Sequence, residues 1–436
     1  MGNTTSYFEP STESAPTGAA PKSRSFHNEE EQFRYYIKEI ESIITAECPH
    51  KLCYTTPENA LQIVAKEGPT RCPDSPFYLP VEPINFKAVA LPEKYNKPEL
   101  VSKIRGLIIG QAVGDAVGLA TEFLNKKQAF WKYNNTIDYA NYLRDSHRSV
   151  WMDDNWVCSD WTDDTDNMLL LLDGVIFNNG DVIVEDYALR LRHWIEFGFS
   201  EFGDLGAMGV GKYFGKVVRT PGWVKDPVQV SKKMWEESNK SQASNGCIMK
   251  IGILGAVHFW EEERVKENSA VICRTTHYDE RCVASCLVIC TIIAESLKAE
   301  KSPDDILEYA LLKGKEVLTL ESNIEQFDTY THANKLEELD LCNCIGFVYK
   351  TLGCAIWALR KYSACVKEGV EIGTIFEQII TEITMEAGDA DTNSAVAGTV
   401  IGSFLGDQNI PEKWKKLRHI DALEHRIQSF LHIYNL

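Results

Sequence analysis

Two acidic clusters, far apart in the sequence, contain the residue types best suited to metal chemistry. They read Trp161-Thr162-Asp163-Asp164-Thr165 and Gly388-Asp389-Ala390-Asp391-Thr392-Asn393. Each places two carboxylates and a hydroxyl within a few residues, and such oxygen ligands suit hard cations such as Mg²⁺ or Mn²⁺. If the clusters converge in the fold, they could hold two ions with a water molecule between them. The pattern therefore favours a metal-dependent enzyme.

Helix capping is the competing explanation for both clusters. Each precedes an apolar stretch, residues 168–172 after the first and 395–405 after the second, which predicts a helix start. A Thr or Asp at the N-cap, with more Asp in the first turn, satisfies free N–H groups and suits the helix dipole. Capping needs only one short polar side chain, however, and crowded carboxylates are costly unless a cation neutralises them. The recurrence of the pattern favours metal ligands.

Glycines at four-residue spacing predict two closely packed helices near these clusters. The two series are Gly106, Gly110, Gly114 and Gly118, and Gly398, Gly402 and Gly406. Each glycine costs a helix about 1 kcal/mol relative to alanine, so a repeated series needs a compensating reason. Close approach of two helix backbones supplies that reason.

Apolar residues recur with helical period through the rest of the main domain. The segments are 182–197, 248–260, 282–297, 306–318, 346–359, 372–383 and 420–433. Strand-like alternation bounded by turns is scarce. We therefore predict an all-α fold, a compact multi-helix bundle whose connecting loops carry the polar motifs and form the metal cleft.

Composition excludes several classes of protein. A net charge of −18, from 63 acidic and 45 basic residues, argues against nucleic acid as the main partner. The most apolar segment, residues 282–294, is too short to span a bilayer, which predicts a protein without a transmembrane segment. The 13 cysteines are an odd number and the N-terminus lacks a secretory signal. We expect an intracellular, cytoplasmic protein with free thiols.

Three regions are predicted along the chain. Residues 1–26 form a disordered tail, residues 27–98 an extension with an amphipathic helix and a Pro-rich connector, and residues 99–436 the catalytic domain. The start Met1-Gly2-Asn3-Thr4-Thr5-Ser6 fits the myristoylation pattern, but one acyl chain would give only weak membrane contact. Cys48, His50, Cys53 and Cys72 lack paired zinc spacing and are interpreted as loop or core residues.

Three further polar motifs could contact a substrate. The first glycine helix ends in small residues around Gly114 and Asp115, where a ligand could approach the backbone, and is followed by Glu122. A polar turn at residues 244–250 leads into an apolar segment and could bind phosphate. His277 precedes another helix and could donate to a phosphate. A surface glutamate and plain helix caps are the alternative explanations.

Taken in order, these motifs resemble the ADP-ribosylglycohydrolase family. The matching residues are Gly114 to Gly118, Glu122-Phe123, Thr162 to Thr165, Asn245-Gly246 with Met249, Thr276-His277 and Gly388 to Thr392. The resemblance covers roughly residues 100–410, and its style is closest to the dinitrogenase-reductase-activating glycohydrolase branch. It implies an all-α domain with a binuclear Mg²⁺ or Mn²⁺ centre. Its activity would be to release ADP-ribose from a modified protein side chain or a small acceptor.

The resemblance also implies roles for individual residues. Metal ligands would be Thr162, Asp163, Asp164, Asp389, Asp391 and Thr392. Catalytic residues would be Glu122, Asp163 and Asp391. Substrate contacts would come from Gly114, Asp115, Asn245, Gly246, His277 and, near the adenine, Phe347. Cleavage at ribose C1 passes through an oxocarbenium-like state and needs an activated water, whose proton could go to Glu122 or to an Asp of the metal site.

Departures from the family pattern leave the substrate open. Lys250 stands where relatives commonly carry Arg, and a Lys cannot make a bidentate guanidinium contact with phosphate. Lys350 replaces a common acidic residue, and the segment around Asp204 lacks the Asn-Thr pair that usually follows. Two other functions stay open: a two-metal phosphohydrolase acting on ADP-ribose-like nucleotides, and an inert ADP-ribose-binding or structural protein. The acceptor also stays open, with arginine, serine, poly-ADP-ribose and O-acetyl-ADP-ribose among the candidates.

Overall fold

A computed structural model describes residues 81–83, 86–134, 160–202, 204 and 206–436. These residues form fourteen α-helices and no named strand, which confirms the predicted all-α fold. The predicted tail, the amphipathic helix of the N-terminal extension, the myristoylation motif and the cysteines of that extension lie outside the described residues.

The helices follow one another through short loops and 3₁₀ turns. In chain order they are α1 Lys97–Gly118, α2 Lys126–Tyr133, α3 Asp163–Phe177, α4 Val184–Phe197, α5 Lys212–Val218, α6 Pro227–Glu237, α7 Glu262–Thr276, α8 Glu280–Lys298, α9 Pro303–Lys315, α10 Glu321–Thr331, α11 Val348–Glu368, α12 Ile372–Met385, α13 Ala390–Leu405 and α14 Ile420–Ile433. Shorter 3₁₀ turns include Asn245–Cys247 and Ile251–Gly255.

Helices α1 and α13 form the tightly packed pair that the glycine spacing predicts. Along α1, the positions Gly106, Gly110, Gly114 and Gly118 meet the α13 backbone at Gly402, Gly398, Ser394 and Ala390. The order is reversed, so the helices are antiparallel. A Cβ at any of the four α1 positions would overlap a carbonyl oxygen of α13. Because only glycine permits this distance, the C-terminal end of α1 is held against the N-terminal end of α13.

Most of the other predicted helices are present, and one is wrong. The segment 420–433 coincides with α14, and 282–297 lies within α8. Residues 248–260 do not form an α-helix; they contain the 3₁₀ turn Ile251–Gly255. Gly252 packs against Thr399 and Gly255 against Ile293 and the Cys290 carbonyl, and the turn is buried throughout. A segment surrounded by other helices has no solvent face to select the α-helical period.

The chain before α1 lies against α14. The backbone N–H of Val89 donates to the carbonyl of Ile433 at 2.7 Å, and the rings of Phe86 and His432 stack at 4.3 Å. Among the described helices, none combines the length and apolarity that a bilayer span requires. The nine cysteines in the described ranges are free thiols.

Candidate metal and substrate site

Both acidic clusters lie at helix N-termini. Thr162 is the N-cap of α3, and its Oγ1 accepts a hydrogen bond from the Asp164 N–H at 3.3 Å. Asp389 stands at the N-cap position of α13, but its side chain makes no capping hydrogen bond. Capping therefore accounts for Thr162 and leaves the carboxylates of Asp164, Asp389 and Asp391 unexplained.

Five carboxylates from four parts of the chain meet beside the C-terminal end of α1. They form two groups that share Asp391: Asp115 with Asp164 and Asp391, and Glu122 with Asp389 and Asp391. Within each group, one oxygen from each residue lies within 4.8 Å of the others. Asp163 belongs to neither group, although burial and then the charges of nearby acids, Asp115 and Glu122 among them, raise the pKa of its carboxyl. Two adjacent groups match the arrangement expected for two ions.

Asp115 joins α1 to the first acidic cluster. Its carboxylate accepts hydrogen bonds from the Thr162 N–H, the Thr165 N–H at 3.0 Å and the Thr165 hydroxyl at 2.6 Å. The sequence suggested a substrate contact for this residue, whereas the structure buries it between α1 and the start of α3. Its hydrogen bonds position the carboxylate of Asp164 beside Asp391.

The carboxylates lack the partners that buried charges need. Oδ1 of Asp164 and Oδ1 of Asp391 are buried without a hydrogen-bond partner. Burial and then neighbouring carboxylates raise the pKa of Asp164 and of Asp391 well above the usual value, and burial raises the pKa of Asp115 to about 6. In the described ranges no Lys or Arg forms an ion pair with these three residues. Orphaned carboxylate oxygens in such numbers fit a divalent cation.

Two hydroxyls complete the oxygen-rich lining. The Thr162 hydroxyl donates to Oδ2 of Asp164 at 3.1 Å. Thr392 is buried in the first turn of α13, and its hydroxyl hydrogen-bonds Asp164, which opposes the rise in the pKa of that carboxyl. Both threonines therefore lie beside Asp164, where the sequence predicted metal ligands. All donors are hard oxygen atoms, as Mg²⁺ and Mn²⁺ prefer.

Glu122 is held by a short pairing between two loops. The Phe123 N–H donates to the Gly388 carbonyl at 2.7 Å, and the Gly388 N–H donates to the Leu124 carbonyl at 3.1 Å. Gly388 has φ of +73°, and a Cβ there would overlap the Leu341 carbonyl. Glu122 is 3% exposed, whereas Phe123 is 65% exposed at the rim. The loops thus place the Glu122 carboxylate among the acids and the neighbouring phenyl ring in solvent.

An amide and two further side chains connect the second cluster to α11. Asn245 Nδ2 donates to Asp389 Oδ2 at 2.6 Å and to Thr351 Oγ1 at 3.0 Å. The Thr351 hydroxyl donates in turn to Asn393 Oδ1 at 2.8 Å. The sequence predicted Asn245 as a substrate contact but assigned no role to Thr351 or Asn393. Asn393, the last residue of the second acidic cluster, was the one sequence signal for this connection.

His277 lies behind the Ser244–Cys247 segment. It is 0% exposed, with Nε2 at 2.8 Å from Ser244 Oγ and Nδ1 at 2.9 Å from Thr276 Oγ1. Burial lowers its pKa to about 4. A neutral, fully bonded imidazole at this depth supports the turn that carries Asn245 and Gly246; the described geometry leaves it no free nitrogen for a phosphate.

Lys250 is also turned away from the open site. It is 0% exposed; its Nζ donates to the Gly246 carbonyl at 2.9 Å and to the Thr276 hydroxyl at 3.3 Å. Burial lowers its pKa to about 8. From the sequence, Lys250 was considered as a phosphate contact in place of an Arg. The structure instead gives the lysine a role in fixing the turn at Gly246.

The remaining predicted substrate residues differ in exposure. Gly114 is buried against the Ser394 backbone, where it serves helix packing. Phe347 is half-buried and follows Gly346, whose carbonyl accepts from the Asn245 N–H at 2.8 Å. The ring of Phe347 lies 5.5 Å from that of Tyr330. Of these two positions, only Phe347 presents a side chain that a planar ligand could reach.

The chain is similar to known proteins over most of its length. The family model for ADP-ribosylglycohydrolase matches residues 96–435. ADP-ribosylarginine hydrolase Tri1 of Pseudomonas putida is 23% identical over 328 residues, covering 72% of this chain and 74% of that protein. ADP-ribosylhydrolase ARH3 of Xenopus tropicalis is 21% identical over 344 residues, covering 72% of this chain and 90% of that protein.

A solved structure extends the similarity to the fold. A chain of the "ADP-ribosylglycohydrolase-related protein complex" superposes with a TM-score of 0.52 at 18% identity, covering 77% of this chain and 99% of that chain. At this identity the superposition is evidence of a shared fold. Since the family model spans well over half of the sequence, this chain belongs to the ADP-ribosylglycohydrolase family.

Proposed function

We propose that this protein hydrolyses the glycosidic bond at ribose C1 of an ADP-ribosylated acceptor, releasing ADP-ribose, and that the reaction requires divalent cations. The observation that carries the proposal is the pair of buried carboxylate groups sharing Asp391, with orphaned oxygens on Asp164 and Asp391. Family membership supplies the class of substrate. Tri1 and ARH3, which resemble the chain, carry hydrolase names of this class.

Two Mg²⁺ ions, or Mn²⁺ in their place, are the proposed cofactors. Asp115, Asp164 and Asp391 would hold one ion, and Asp389 and Asp391 with Glu122 nearby would hold the other. Thr162 and Thr392 would add hydroxyl oxygens, and Asp163 would act through its charge. Bound divalent cations would supply a water of lowered pKa and would orient ribose hydroxyls.

Glu122 is the proposed proton-transfer residue. Its carboxylate lies in the same group as Asp389 and Asp391, on a loop held by two backbone hydrogen bonds to the Gly388 segment. A fixed carboxylate beside the reacting carbon can accept the proton of the attacking water or deliver one to the leaving group. The buried position of Glu122 keeps this carboxylate from being solvated and misoriented.

The opposite wall is proposed to bind the nucleotide. Asn245 and Gly246 lie on a turn fixed from behind by Lys250 and His277, and Phe347 follows the adjacent Gly346. The turn lies beside Asp389, so a diphosphate bound there would place the ribose near the carboxylates. Phe347 would stack against the adenine. The exposed ring of Phe123, next to Glu122, would lie toward the acceptor.

The test compares three linkages under identical conditions. The full chain is incubated with arginine-linked, serine-linked and O-acetyl-linked ADP-ribose, with Mg²⁺ or with EDTA, and the products are identified by mass. We expect intact ADP-ribose from at least one substrate, only with Mg²⁺. AMP with ribose phosphate would instead indicate a phosphohydrolase, and binding without products an inert binder; either outcome would overturn the proposal.

A matched pair of variants assigns the role of Glu122. Glu122→Gln keeps size and removes the proton acceptor, so turnover should fall by about 100-fold or more, as for loss of a general acid or base. Glu262→Gln makes the same change on α7, where the carboxylate contacts Tyr309 and Lys313, and should leave turnover unchanged. Equal turnover in the two variants would remove Glu122 from the mechanism.

A further inference from the structure

A group of three thiols lies in the core behind the Asn245 turn. Cys247 ends the 3₁₀ turn Asn245–Cys247, Cys273 lies in the last turn of α7 and Cys286 lies in α8. Their sulfur atoms are all within 4.8 Å of one another, and each residue is 0% exposed. Three elements distant in sequence thus bring three soft donor atoms to one point.

The only ammonium group described at this point is that of Lys250. It lies over the Phe214 ring at 4.5 Å and donates to the Gly246 carbonyl and the Thr276 hydroxyl. Gly246 is next in sequence to Cys247, and Thr276 is three residues beyond Cys273. Within the described ranges it forms no ion pair with a carboxylate. A buried cation is costly unless a negative charge compensates it. The groups whose negative charge would act on this ammonium are the three thiols and then Asp163.

We propose that Cys247, Cys273 and Cys286 bind one thiophilic divalent metal ion of the Zn²⁺ class, distinct from the carboxylate site. Binding would release three thiol protons to solvent and form three metal–sulfur bonds, with no change of oxidation state. Three thiolates and a divalent ion carry one net negative charge, which the single positive charge of Lys250 balances. Sulfur ligands select such an ion against Mg²⁺, which prefers the oxygen site.

A fourth cysteine lies close to the group. Cys282 precedes Cys286 by one helical turn on α8, and its thiol donates to the Ser244 carbonyl at 3.6 Å, the same carbonyl that accepts from Cys247 at 3.3 Å. Cys282 shares this acceptor with Cys247 and is therefore a candidate fourth ligand. Four thiolates or three thiolates with one other ligand are both usual zinc environments.

Other buried cysteines show what packing alone looks like. Cys354 and Cys365 are buried in α11, and neither belongs to a group of three ligands in the described structure. A cysteine used as a small apolar residue needs no sulfur neighbours. The convergence of Cys247, Cys273 and Cys286 is a separate feature, and Cys354 provides a matched control.

The metal would stabilise the turn that carries Asn245. Cys247 lies two residues after Asn245, whose amide donates to Asp389. An ion bound to Cys247 would tie this turn to α7 and α8 from the core side. Metal binding by the thiols does not depend on which reaction the carboxylate site performs, so the two proposals can fail separately.

The test is a titration of the full chain with Cd²⁺ under reducing conditions, after removal of metals. Cys48, Cys53, Cys72 and Cys158 are replaced by serine in every protein, so that the signal reports on the remaining thiols. Because the group is buried, the chain is titrated both folded and refolded with Cd²⁺. We expect one equivalent to produce ultraviolet sulfur-to-cadmium charge-transfer absorption, and Zn²⁺ to displace it.

Variants decide whether the three thiols are the ligands. Cys273→Ser and Cys286→Ser should lose the absorption and weaken Zn²⁺ binding by more than about 100-fold, since even outer-shell partners of a metal contribute 10- to 100-fold. Cys354→Ser should retain both. Circular dichroism identifies any variant that fails to fold. The parent protein, in which all three thiols are intact, must bind Cd²⁺. Absence of the absorption in the parent protein, or its persistence in both ligand variants, would overturn the proposal.

Discussion

Helix α3 carries two sets of buried acids with opposite surroundings. At its C-terminal half, Asp173 accepts from Arg426 Nε at 2.7 Å and Nη2 at 3.2 Å, and Arg426 also contacts Glu201. At its N-terminal end, Asp164 has one orphaned oxygen, its carboxylate accepts hydrogen bonds from the hydroxyls of Thr162 and Thr392, and the nearby charged groups are other acids. The same residue type on one helix thus has an arginine partner in one place and no cationic partner from the described part of the chain in the other.

The difference separates structural from functional acids. Burial raises the pKa of both Asp173 and Asp164, but Arg426 opposes the effect at Asp173, whereas Asp115 and Asp163 reinforce it at Asp164. A third acid of α3, Asp166, accepts from the indoles of Trp161 and Trp194 at 2.9 and 3.1 Å. Where a buried acid has protein partners, it stabilises the fold. Where it faces other acids, a cation from solution is its proposed partner.

The largest expected effect comes from Asp391, which belongs to both carboxylate groups. Asp391→Asn should reduce metal-dependent turnover by more than about 100-fold, because loss of a ligand exceeds the loss of an outer-shell partner. The metal-free variant should be at least as stable as the parent, because one of several mutually repelling charges is gone. Turnover and thermal unfolding in EDTA measure the two effects. Normal turnover in this variant would exclude the proposed metal site.

Asp173→Asn should have the reverse pattern. The substitution leaves Arg426 buried with only Glu201 as its acidic partner, and breaking a buried pair in this way costs about 3–5 kcal/mol. Turnover per folded molecule should stay close to that of the parent, because no carboxylate of the metal groups changes. Chemical denaturation and activity at low temperature test this. An undiminished free energy of unfolding would mean that the comparison between the two ends of α3 is wrong.

The stabilisation by Mg²⁺ should increase with pH. Burial raises the pKa of Asp115 to about 6 from about 3.9 in the unfolded chain. The folded, metal-free protein therefore holds more protons than the unfolded chain across this window, and its free energy of unfolding falls as pH rises through it. The raised pKa values of Asp164 and Asp391 act in the same direction. Mg²⁺ should cancel this loss, adding about 2.7 kcal/mol at 100 times its Kd.

His277 must be separated from that effect, because its pKa is lowered to about 4. Protonation of His277 destabilises the fold as pH falls below about 6.5, which is the opposite direction. This destabilisation should be the same with and without metal. The informative quantity is thus the difference in melting temperature between Mg²⁺ and EDTA at pH 5.5 and 7.5. A difference that is constant or smaller at pH 7.5 would contradict the assignment.

The smallest expected effect concerns the C-terminal end of α1, where close helix packing lies beside the proposed metal ligands. Gly118→Ala places a Cβ against the Ala390 carbonyl and the Asp391 Cα. Overpacking of this kind costs about 1–3 kcal/mol and should also weaken Mg²⁺ binding, because the Asp391 backbone moves. Gly373→Ala in α12, where a Cβ meets nothing within 4 Å, should instead stabilise by about 0.5–1 kcal/mol. Thermal unfolding with and without Mg²⁺ measures both variants.

Much of the local structure could be predicted from the sequence. Helix starts at the acidic clusters, the close packing of the glycine series and the boundaries of α14 all agree with the structure. Residues 248–260 were the exception: their apolar residues recur with helical period, but the segment packs against other helices through Gly252 and Gly255 and forms a 3₁₀ turn instead. Helix packing in that segment overrides local preference.

Within the site, the sequence identified residue types better than their contacts. Asp115, Gly114 and His277 were predicted to contact substrate, and the structure buries all three among protein partners. Thr351 and Asn393 were not predicted, because a link between α11 and α13 has no sequence spacing that would reveal it. A polar side chain in a motif can contact either a bound ligand or neighbouring groups of the protein.

The sequence alone determined the all-α class, the candidate oxygen ligands and the helix ends that present them, because these depend on periodicity, side-chain chemistry and capping within a few residues. Only the tertiary structure decided which acids meet. Asp173 has Arg426 as a partner because α3 packs against α14, whereas Asp164 faces Asp391 because glycines bring α1 and α13 into contact. Long-range packing, which local patterns indicated only for the glycine series, separated the acid paired with Arg426 from the acids proposed to bind a cation.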